Sequence, residues 1–264
     1  MSVPSPIQAA FEDVLSITEI FDRNGFVVVN DMIGEADLTM LREAYDDALN
    51  GRTDFAGNDR ELGGVTRQIM VPHLFDSRFL KNEAVAKGAQ IAASIFGETA
   101  PELMFSMLIY KPPGHPHVTP WHQDMAYAGR PVTPTGARLP NDAILQFWLA
   151  LDDVDEETGC MTFVPGKHND PMPEHFVASG DPEDESRLLA MTAPEQDLDL
   201  AKAVPCPLSA GSATMHGYAT PHYTGANRSS ERGRRAFIFS FAHPNALAAI
   251  SGGRGDWKSS SPTT

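Results

Sequence analysis

The first hundred residues place apolar side chains at helical spacing in three segments. Residues 7–23, 37–50 and 81–96 each repeat an apolar residue every three or four positions, and each stops close to a glycine. An apolar stripe with a period near 3.6 residues marks the buried face of a helix, and glycine commonly follows a helix end. The pattern therefore predicts three amphipathic helices, with a short strand at residues 26–29 between the first two.

Beyond residue 100 the apolar residues gather into short runs instead of stripes. These runs cover residues 103–110, 143–151, 160–164 and 236–241, and Pro, Gly, Asp or Asn bounds each of them. Apolar runs of four to nine residues between turn residues predict strands, and several such strands favour an antiparallel sandwich or barrel. The chain is thus expected to be mainly β with flanking α-helices.

Two long segments interrupt the predicted strands. Residues 126–141 are rich in Pro, Gly and Arg, and residues 167–202 are rich in Asp, Glu and Pro. Insertions of that length in a compact domain are typical of lids and binding loops. We expect a single domain over residues 1–264, with a mostly helical buttress at 1–100, a β core at 101–245 carrying both lid loops, and a frayed tail at 250–264.

Charge narrows the classes of partner. The 264 residues include 20 Lys+Arg and 35 Asp+Glu, a formal net charge of −15. Binding to nucleic acid or to an anionic membrane needs clustered cations, so neither partner is expected. The chain shows no signal peptide and no apolar run of about 20 residues, and its two cysteines fit a reducing compartment, which makes the cytoplasm the expected location.

The first candidate for chemistry is His122 with Asp124, in the segment TPWHQDM. On a strand, residues two apart point to the same face, so the imidazole and the carboxylate would enter one cavity. The pair supplies two of the three ligands of a facial iron site. Nine histidines are present, however, so one His-x-Asp can arise by accident and simply form a hydrogen bond.

A second constellation lies a hundred residues downstream. His222 precedes a polar turn and four arginines, of which Arg234 and Arg235 open the apolar run AFIFSF. Alternation along a strand sends these two side chains to opposite faces, so only one can point inward and bind a carboxylate. His216, six residues before His222, competes with it as a ligand, but its surroundings are typical of the end of the preceding strand.

Taken together, these motifs resemble the phytanoyl-CoA dioxygenase family of Fe(II)- and 2-oxoglutarate-dependent oxygenases. The resemblance rests on FDRNGFVVV, MLIYKPPG, WHQD, QFWLALDD, ETGCM, VPGKH and the segment 222–235, in that order over nearly the whole chain. It implies a double-stranded β-helix, a cupin-like jelly roll, with N-terminal helices against one sheet. It also implies Fe(II), 2-oxoglutarate and O2 as cofactor, co-substrate and oxidant.

The resemblance also assigns roles to individual positions. It implies that the iron ligands are His122, Asp124 and His222, and that the residues contacting 2-oxoglutarate are Arg234, Thr224, Met107, Trp148 and Arg67. Three departures from the family pattern are present: His-Tyr-Thr at 222–224, Gly-Lys-His at 166–168, and one extra residue between the distal His and the Arg. The last departure leaves Arg235 as an alternative to Arg234.

The reaction implied is oxidation, by default hydroxylation, of a C–H bond in a small-molecule metabolite, with release of succinate and CO2. A natural-product intermediate or amino-acid derivative is expected more than a CoA thioester, because no further basic cluster is present for its phosphates. Tyr127 and Arg130 are candidate substrate contacts, and the protein is expected to be a monomer or homodimer. A cupin-type hydrolase or isomerase without 2-oxoglutarate, and a non-catalytic jelly-roll binding module, are the alternatives.

Overall fold

The protein's computed structural model describes residues 7–62, 66–127, 140–179 and 188–246. The helices of this part are α1 (Val14–Asn24), α2 (Glu35–Leu49), α3 (Glu83–Ile95) and α4 (Pro194–Asp197). The strands are β1 (Gln8–Ala10), β2 (Phe26–Asn30), β3 (Asp59–Leu62), β4 (Thr66–Met70), β5 (Glu102–Lys111), β6 (Thr119–His122), β7 (Ile144–Ala150), β8 (Met161–Phe163), β9 (His175–Val177), β10 (Leu189–Met191), β11 (Val204–Cys206), β12 (Ala213–Gly217), β13 (His222–Thr224) and β14 (Arg234–Ala242).

Two sheets form the body of the described fold. The main sheet has the order β1-β2-β12-β7-β14-β5-β4-β3, antiparallel except for the β1–β2 pair, and the small sheet has the order β11-β8-β13-β6. Apolar side chains of both sheets, such as Trp148 and Ile238 from the main sheet and Phe163 from the small one, meet in one buried cluster. This is the jelly-roll arrangement, so the expected double-stranded β-helix is confirmed.

The helices cover the other face of the main sheet. Alternate residues of β7 and β14, among them Phe147 and Phe239, point away from the small sheet and pack with Ile17, Leu41 and Ile91 of the three long helices. The long strands are therefore buried on both faces, which explains why they read as continuous apolar runs. The helical segments expected at 37–50 and 81–96 are confirmed within two residues.

The N-terminal region is less helical than its pattern predicts. Residues 8–10 form β1 parallel to β2, and helix α1 starts only at Val14, after Asp13 accepts a hydrogen bond from the backbone N–H of Ser16. The predicted helix is wrong at residues 7–10, because pairing with β2 at the edge of the sheet provides hydrogen bonds for this part of the backbone instead. Strands β1–β4 all join the main sheet, so residues 1–100 are more than a helical buttress.

The two expected lid segments differ in how far they can be described. Residues 128–139 of the first lie outside the described residues, as does the tail 250–264. The described part of the second contains the β9–β10 hairpin, α4 and two short 3-10 turns. Within the described part of the chain, no helix has both the length and the apolar content needed to cross a membrane.

Candidate active site

Three potential metal ligands meet between the two sheets. His122 ends β6, Asp124 opens the short 3-10 turn that follows, and His222 begins β13, where it is paired directly with His122. One ligand atom from each lies within 4.8 Å of the others. The register of β6 and β13 thus brings together residues that lie a hundred positions apart in the sequence.

The hydrogen bonds of the two histidines prepare one ring nitrogen for a metal. Nδ1 of His122 lies 2.8 Å from the carbonyl oxygen of Pro120, and Nδ1 of His222 lies 3.0 Å from that of Thr220. A carbonyl oxygen only accepts, so each Nδ1 carries the hydrogen and each Nε2 keeps its lone pair. Burial lowers the pKa of both imidazoles and keeps the rings neutral.

The Asp124 carboxylate is oriented from the main sheet. The Gln146 amide on β7 donates to Oδ2 at 2.7 Å, and Nε2 of His216 on β12 lies 3.4 Å from the same oxygen. Oε1 of Gln146 in turn accepts a hydrogen bond from Ser240. Burial alone would raise the pKa of Asp124, but the nearby His222 and His216 outweigh it and hold this pKa below its usual value.

This donor set fits iron(II). Two imidazole nitrogens and one carboxylate oxygen on one side of an ion form the facial triad of non-haem iron oxygenases, and the remaining positions are left for co-substrate and dioxygen. His216 belongs to the same cluster, yet its Nε2 faces the oxygen of Asp124 that Gln146 already holds. We therefore assign His216 to orienting the carboxylate.

A buried guanidinium lies in the same interior. Arg234 is 1% exposed and stacks over Trp148, with Cζ 5.2 Å from the ring centroid. It donates from Nη1 to the carbonyl oxygen of Gly159 at 2.7 Å, whereas its Nε has no hydrogen-bond partner among the described residues. Burial lowers its pKa to about 10, so the group stays charged at neutral pH. A buried cation with a spare donor suits a carboxylate ligand.

Sequence reasoning missed a second buried cation, Lys111. It ends β5, is fully buried, and donates from Nζ to Oγ1 of Thr224 at 3.1 Å and to the carbonyl oxygen of Gly225 at 2.7 Å. Alternation from Met107 and Ile109, which pack against the inter-sheet cluster, puts Lys111 on the same inward face. The same alternation along β7 predicts that Gln146, two residues before Trp148, also points to the inward face.

The structure separates the two candidate arginines. Arg235 points to the helix side, where it pairs with Asp152 at 2.6 Å and with Asp46 at 3.0 Å. Its neighbour Arg234 points inward, as strand alternation requires. Of the positions implied by the resemblance, Arg234, Thr224, Met107 and Trp148 therefore share the interior between the sheets.

Arg67 does not join them. In β4 its neighbour Gln68 lies on the inward face, so Arg67 points to the opposite face, where it pairs with Asp59 at 2.6 Å. It also donates to the carbonyl oxygens of Leu49 and Ala48 at the end of α2. The structure therefore does not bring Arg67 together with the other positions implied to contact 2-oxoglutarate, and its contact with the co-substrate stays a prediction.

The candidate substrate contacts are only partly described. The ring of Tyr127 lies edge-on to His122, with centroids 5.9 Å apart, and its hydroxyl accepts the backbone N–H of Leu189 at 3.1 Å. Tyr127 thereby joins the turn that carries Asp124 to the hairpin of the second lid segment. Arg130 lies outside the described residues.

Fold and site together define the class of non-haem iron oxygenases that use 2-oxoglutarate. Residues 21–236 match the family described as Phytanoyl-CoA dioxygenase (PhyH), and the chain belongs to that family. The resemblance seen in the sequence motifs is thereby confirmed, as is the expectation of an iron- and 2-oxoglutarate-dependent enzyme.

Individual relatives support this placement. The chain is 25% identical over 258 residues to peroxisomal phytanoyl-CoA dioxygenase of Bos taurus, a match that covers 88% of this chain and 70% of the relative. It is 31% identical over 140 residues to phytanoyl-CoA dioxygenase domain-containing protein 1 of Danio rerio, covering 53% of this chain and 44% of that protein, less than half its length. EvdO2 from Micromonospora carbonacea var. aurantiaca, solved in complex with 2-oxoglutarate, superposes with a TM-score of 0.67 at 27% identity, covering 87% and 94% of the two chains.

Proposed function

We propose that this protein uses iron(II), 2-oxoglutarate and dioxygen to hydroxylate a C–H bond of a small-molecule metabolite. The observation that carries the proposal is that the set His122, Asp124 and His222, with both histidines buried and the aspartate partly buried, shares one interior with the buried cation of Arg234. A hydrolase or isomerase of the cupin type needs the metal ligands but not the buried cation. A non-catalytic binding module needs neither.

In this proposal the chain's own residues bind and orient. His122, Asp124 and His222 hold the metal, Gln146 fixes the carboxylate, and Arg234 binds the distal carboxylate of 2-oxoglutarate. Iron(II) and 2-oxoglutarate, when bound at these residues, would supply the activation of dioxygen, with succinate, CO2 and the hydroxylated substrate as the products. The apolar cluster around Trp148 and Phe163 keeps water away from the co-substrate.

Thr224, Met107 and Trp148 complete the proposed co-substrate pocket. Thr224 is buried beside Lys111, and the Trp148 ring forms the floor under the Arg234 guanidinium. A ring face beneath a guanidinium holds its plane in place, so the carboxylate-binding edge of Arg234 is oriented in advance. Tyr127, beside His122, is the described residue best placed to contact a substrate.

An anaerobic titration tests the metal and co-substrate assignment. Addition of Fe(II) and 2-oxoglutarate to the protein under anaerobic conditions should produce a weak visible charge-transfer band that requires both. Asp124→Ala should abolish the band, whereas Asp199→Ala, which changes a carboxylate paired with Lys202 away from the site, should keep it. Absence of the band in folded wild-type protein would refute the proposal.

The substrate requires a separate experiment. Release of succinate, measured over a panel of amino-acid derivatives, natural-product intermediates and acyl thioesters, should rise well above the uncoupled rate for one chemical class. We expect that class to be a small free metabolite; a CoA ester consumed far faster than its free acid would contradict this. The cytoplasmic location of the protein and its state as monomer or homodimer stay predictions.

A further inference from the structure

Two buried cations face each other across neighbouring strands. Lys111 on β5 and Arg234 on β14 are direct partners in the antiparallel register, and they are 0% and 1% exposed. Side chains at directly opposite positions of such a pair lie on the same face, and their Cβ atoms are about 4.5–5.5 Å apart. Both side chains therefore enter the interior at one point, where two positive charges would repel each other.

Only neutral groups surround this pair in the described structure. Nζ of Lys111 donates to Thr224 and to the carbonyl oxygen of Gly225, and Nη1 of Arg234 donates to that of Gly159. Among the described residues, neither cation has a carboxylate within ion-pair distance. The nearby titratable groups are His115, in the loop after β5, and Tyr45 and Cys160, which lie near Arg234. None of these carries a negative charge at neutral pH.

Burial without a counter-ion makes the pair costly for folding. Burial, and then the charge of Arg234, lowers the pKa of Lys111 to about 6, so the free protein holds it largely as a neutral amine at neutral pH. A methionine would fill the same space beside Ile109 without this cost. The position therefore suits a ligand that brings negative charge between the two side chains.

We propose that Lys111 is a second residue for binding 2-oxoglutarate, which holds the distal carboxylate of the co-substrate together with Arg234. The proposal rests on the function proposed above. A carboxylate offers two oxygens with about four acceptor positions, enough for the free Nε of Arg234 and for Nζ of Lys111 at once. Thr224, already bonded to Nζ, then helps to position the ammonium group.

The test separates contact with the distal carboxylate from a merely structural role. Fe(II)-loaded protein is titrated anaerobically with 2-oxoglutarate and with 2-oxopentanoate, which has the same carbon chain but lacks the distal carboxylate. Lys111→Met should raise the Kd for 2-oxoglutarate about 10- to 100-fold and change that for 2-oxopentanoate less than about twofold. The matched control Lys87→Met, in the partly exposed ion pair with Glu83, should change neither.

Thermal unfolding without co-substrate provides the check on folding. Lys111→Met should melt at or above the temperature of the wild-type protein, because it removes an uncompensated buried amine. Lys111→Gln keeps a donor for Thr224 and the carbonyl of Gly225 without the charge, and should show the same selective loss of 2-oxoglutarate. It also serves as the test variant if the methionine variant does not fold.

Three results overturn the proposal, and they are distinguishable. Equal weakening of both oxo acids would show that Lys111 only shapes the pocket. A Kd for 2-oxoglutarate within twofold of the wild-type value in folded variants would show that Lys111 does not contact it. Failure of the Fe(II)-loaded wild type to bind 2-oxoglutarate would refute the proposed function itself, and this assignment with it.

Discussion

Gly159 connects the two cations of the proposed co-substrate pocket through the backbone. Its carbonyl oxygen accepts Nη1 of Arg234 at 2.7 Å, and its Cα lies against Gly225, whose carbonyl oxygen accepts Nζ of Lys111 at 2.7 Å. A Cβ added at Gly159 would lie 2.3 Å from that oxygen of Gly225. The variant Gly159→Ala therefore disturbs both acceptors without touching a ligand-binding side chain.

The cost of this methyl group has two parts. Gly159 has φ +85°, in the left-handed region, where a side chain costs about 1–2 kcal/mol. Contact at 2.3 Å with a backbone oxygen forces the β13 turn to shift, and such overpacking adds about 1–3 kcal/mol. The sum is about 2–5 kcal/mol in the free energy of unfolding.

Gly57 offers the matched control. Its φ is +81°, but a Cβ there meets nothing within 4 Å, so Gly57→Ala carries only the backbone cost of about 1–2 kcal/mol. The difference of about 1–3 kcal/mol corresponds to a gap of about 2–12 °C in melting temperature for a chain of this size. Differential scanning calorimetry measures that gap directly.

A second measurement relates this difference in melting temperature to the proposed co-substrate pocket. Gly159→Ala should weaken 2-oxoglutarate binding in the anaerobic titration, because the acceptors that position Arg234 and Lys111 have moved, whereas Gly57→Ala should not. Equal melting temperatures for the two variants would refute the steric argument. A lower melting temperature with an unchanged Kd would refute the link between Gly159 and the pocket.

Three further predictions concern single groups. Arg234→Leu should abolish saturable 2-oxoglutarate binding in the same titration, whereas Arg235→Leu should lower the melting temperature and leave the Kd unchanged; the reverse pattern would exchange their roles. Gln146→Leu should lower Fe(II) affinity about 10- to 100-fold in a competition titration with a chelator, because the Asp124 carboxylate loses its orienting donor. Between pH about 6 and 10.5 the unfolded chain binds one more proton at Lys111 than the native protein does, so this residue makes the free energy of unfolding rise with pH. Denaturant unfolding should therefore show the largest difference in free energy of unfolding between wild type and Lys111→Met at the acid end of that window. A difference that does not change with pH would contradict the burial argument.

The proposed iron ligands could be named from the sequence because the motifs of the family occur in order along the chain, whereas the His-x-Asp pair alone could have been accidental. His122 and Asp124 are two residues apart, and His222 stands before a basic segment at the place where the family has its distal histidine. Strand alternation also predicted that only one of Arg234 and Arg235 points inward, and the structure shows that this residue is Arg234. The face on which Arg67 lies could not be predicted, because β4 is short and has no clear apolar alternation; only the resemblance suggested a co-substrate contact there.

Lys111 shows a different limit of sequence reasoning. A lysine at the end of an apolar strand, followed by two prolines, is usually a solvated residue at a strand boundary. It is buried here because Arg234 of β14 lies directly opposite it and Thr224 of β13 and Gly225 accept hydrogen bonds from its Nζ, and these residues lie more than a hundred positions downstream. The prediction of a helix at residues 8–10 is wrong for a related reason, since pairing with β2 and not the local apolar spacing determines the conformation of β1.

The residues proposed to bind the metal and the co-substrate come from both sheets, and this has a consequence for stability. The small sheet supplies the proposed metal ligands His122 and His222, while the main sheet supplies Gln146, Lys111 and Arg234. Neither the metal nor the co-substrate can be held well unless the sheets keep their packing, so each ligand binds the native state and not the unfolded chain. Binding then stabilises the protein by RT ln(1 + [L]/Kd), about 2.7 kcal/mol at a hundredfold excess over Kd. Because the distal carboxylate of 2-oxoglutarate would stabilise the charged form of Lys111 beside Arg234, the stabilising effect of 2-oxoglutarate should depend on Lys111, whereas that of Fe(II) alone should not.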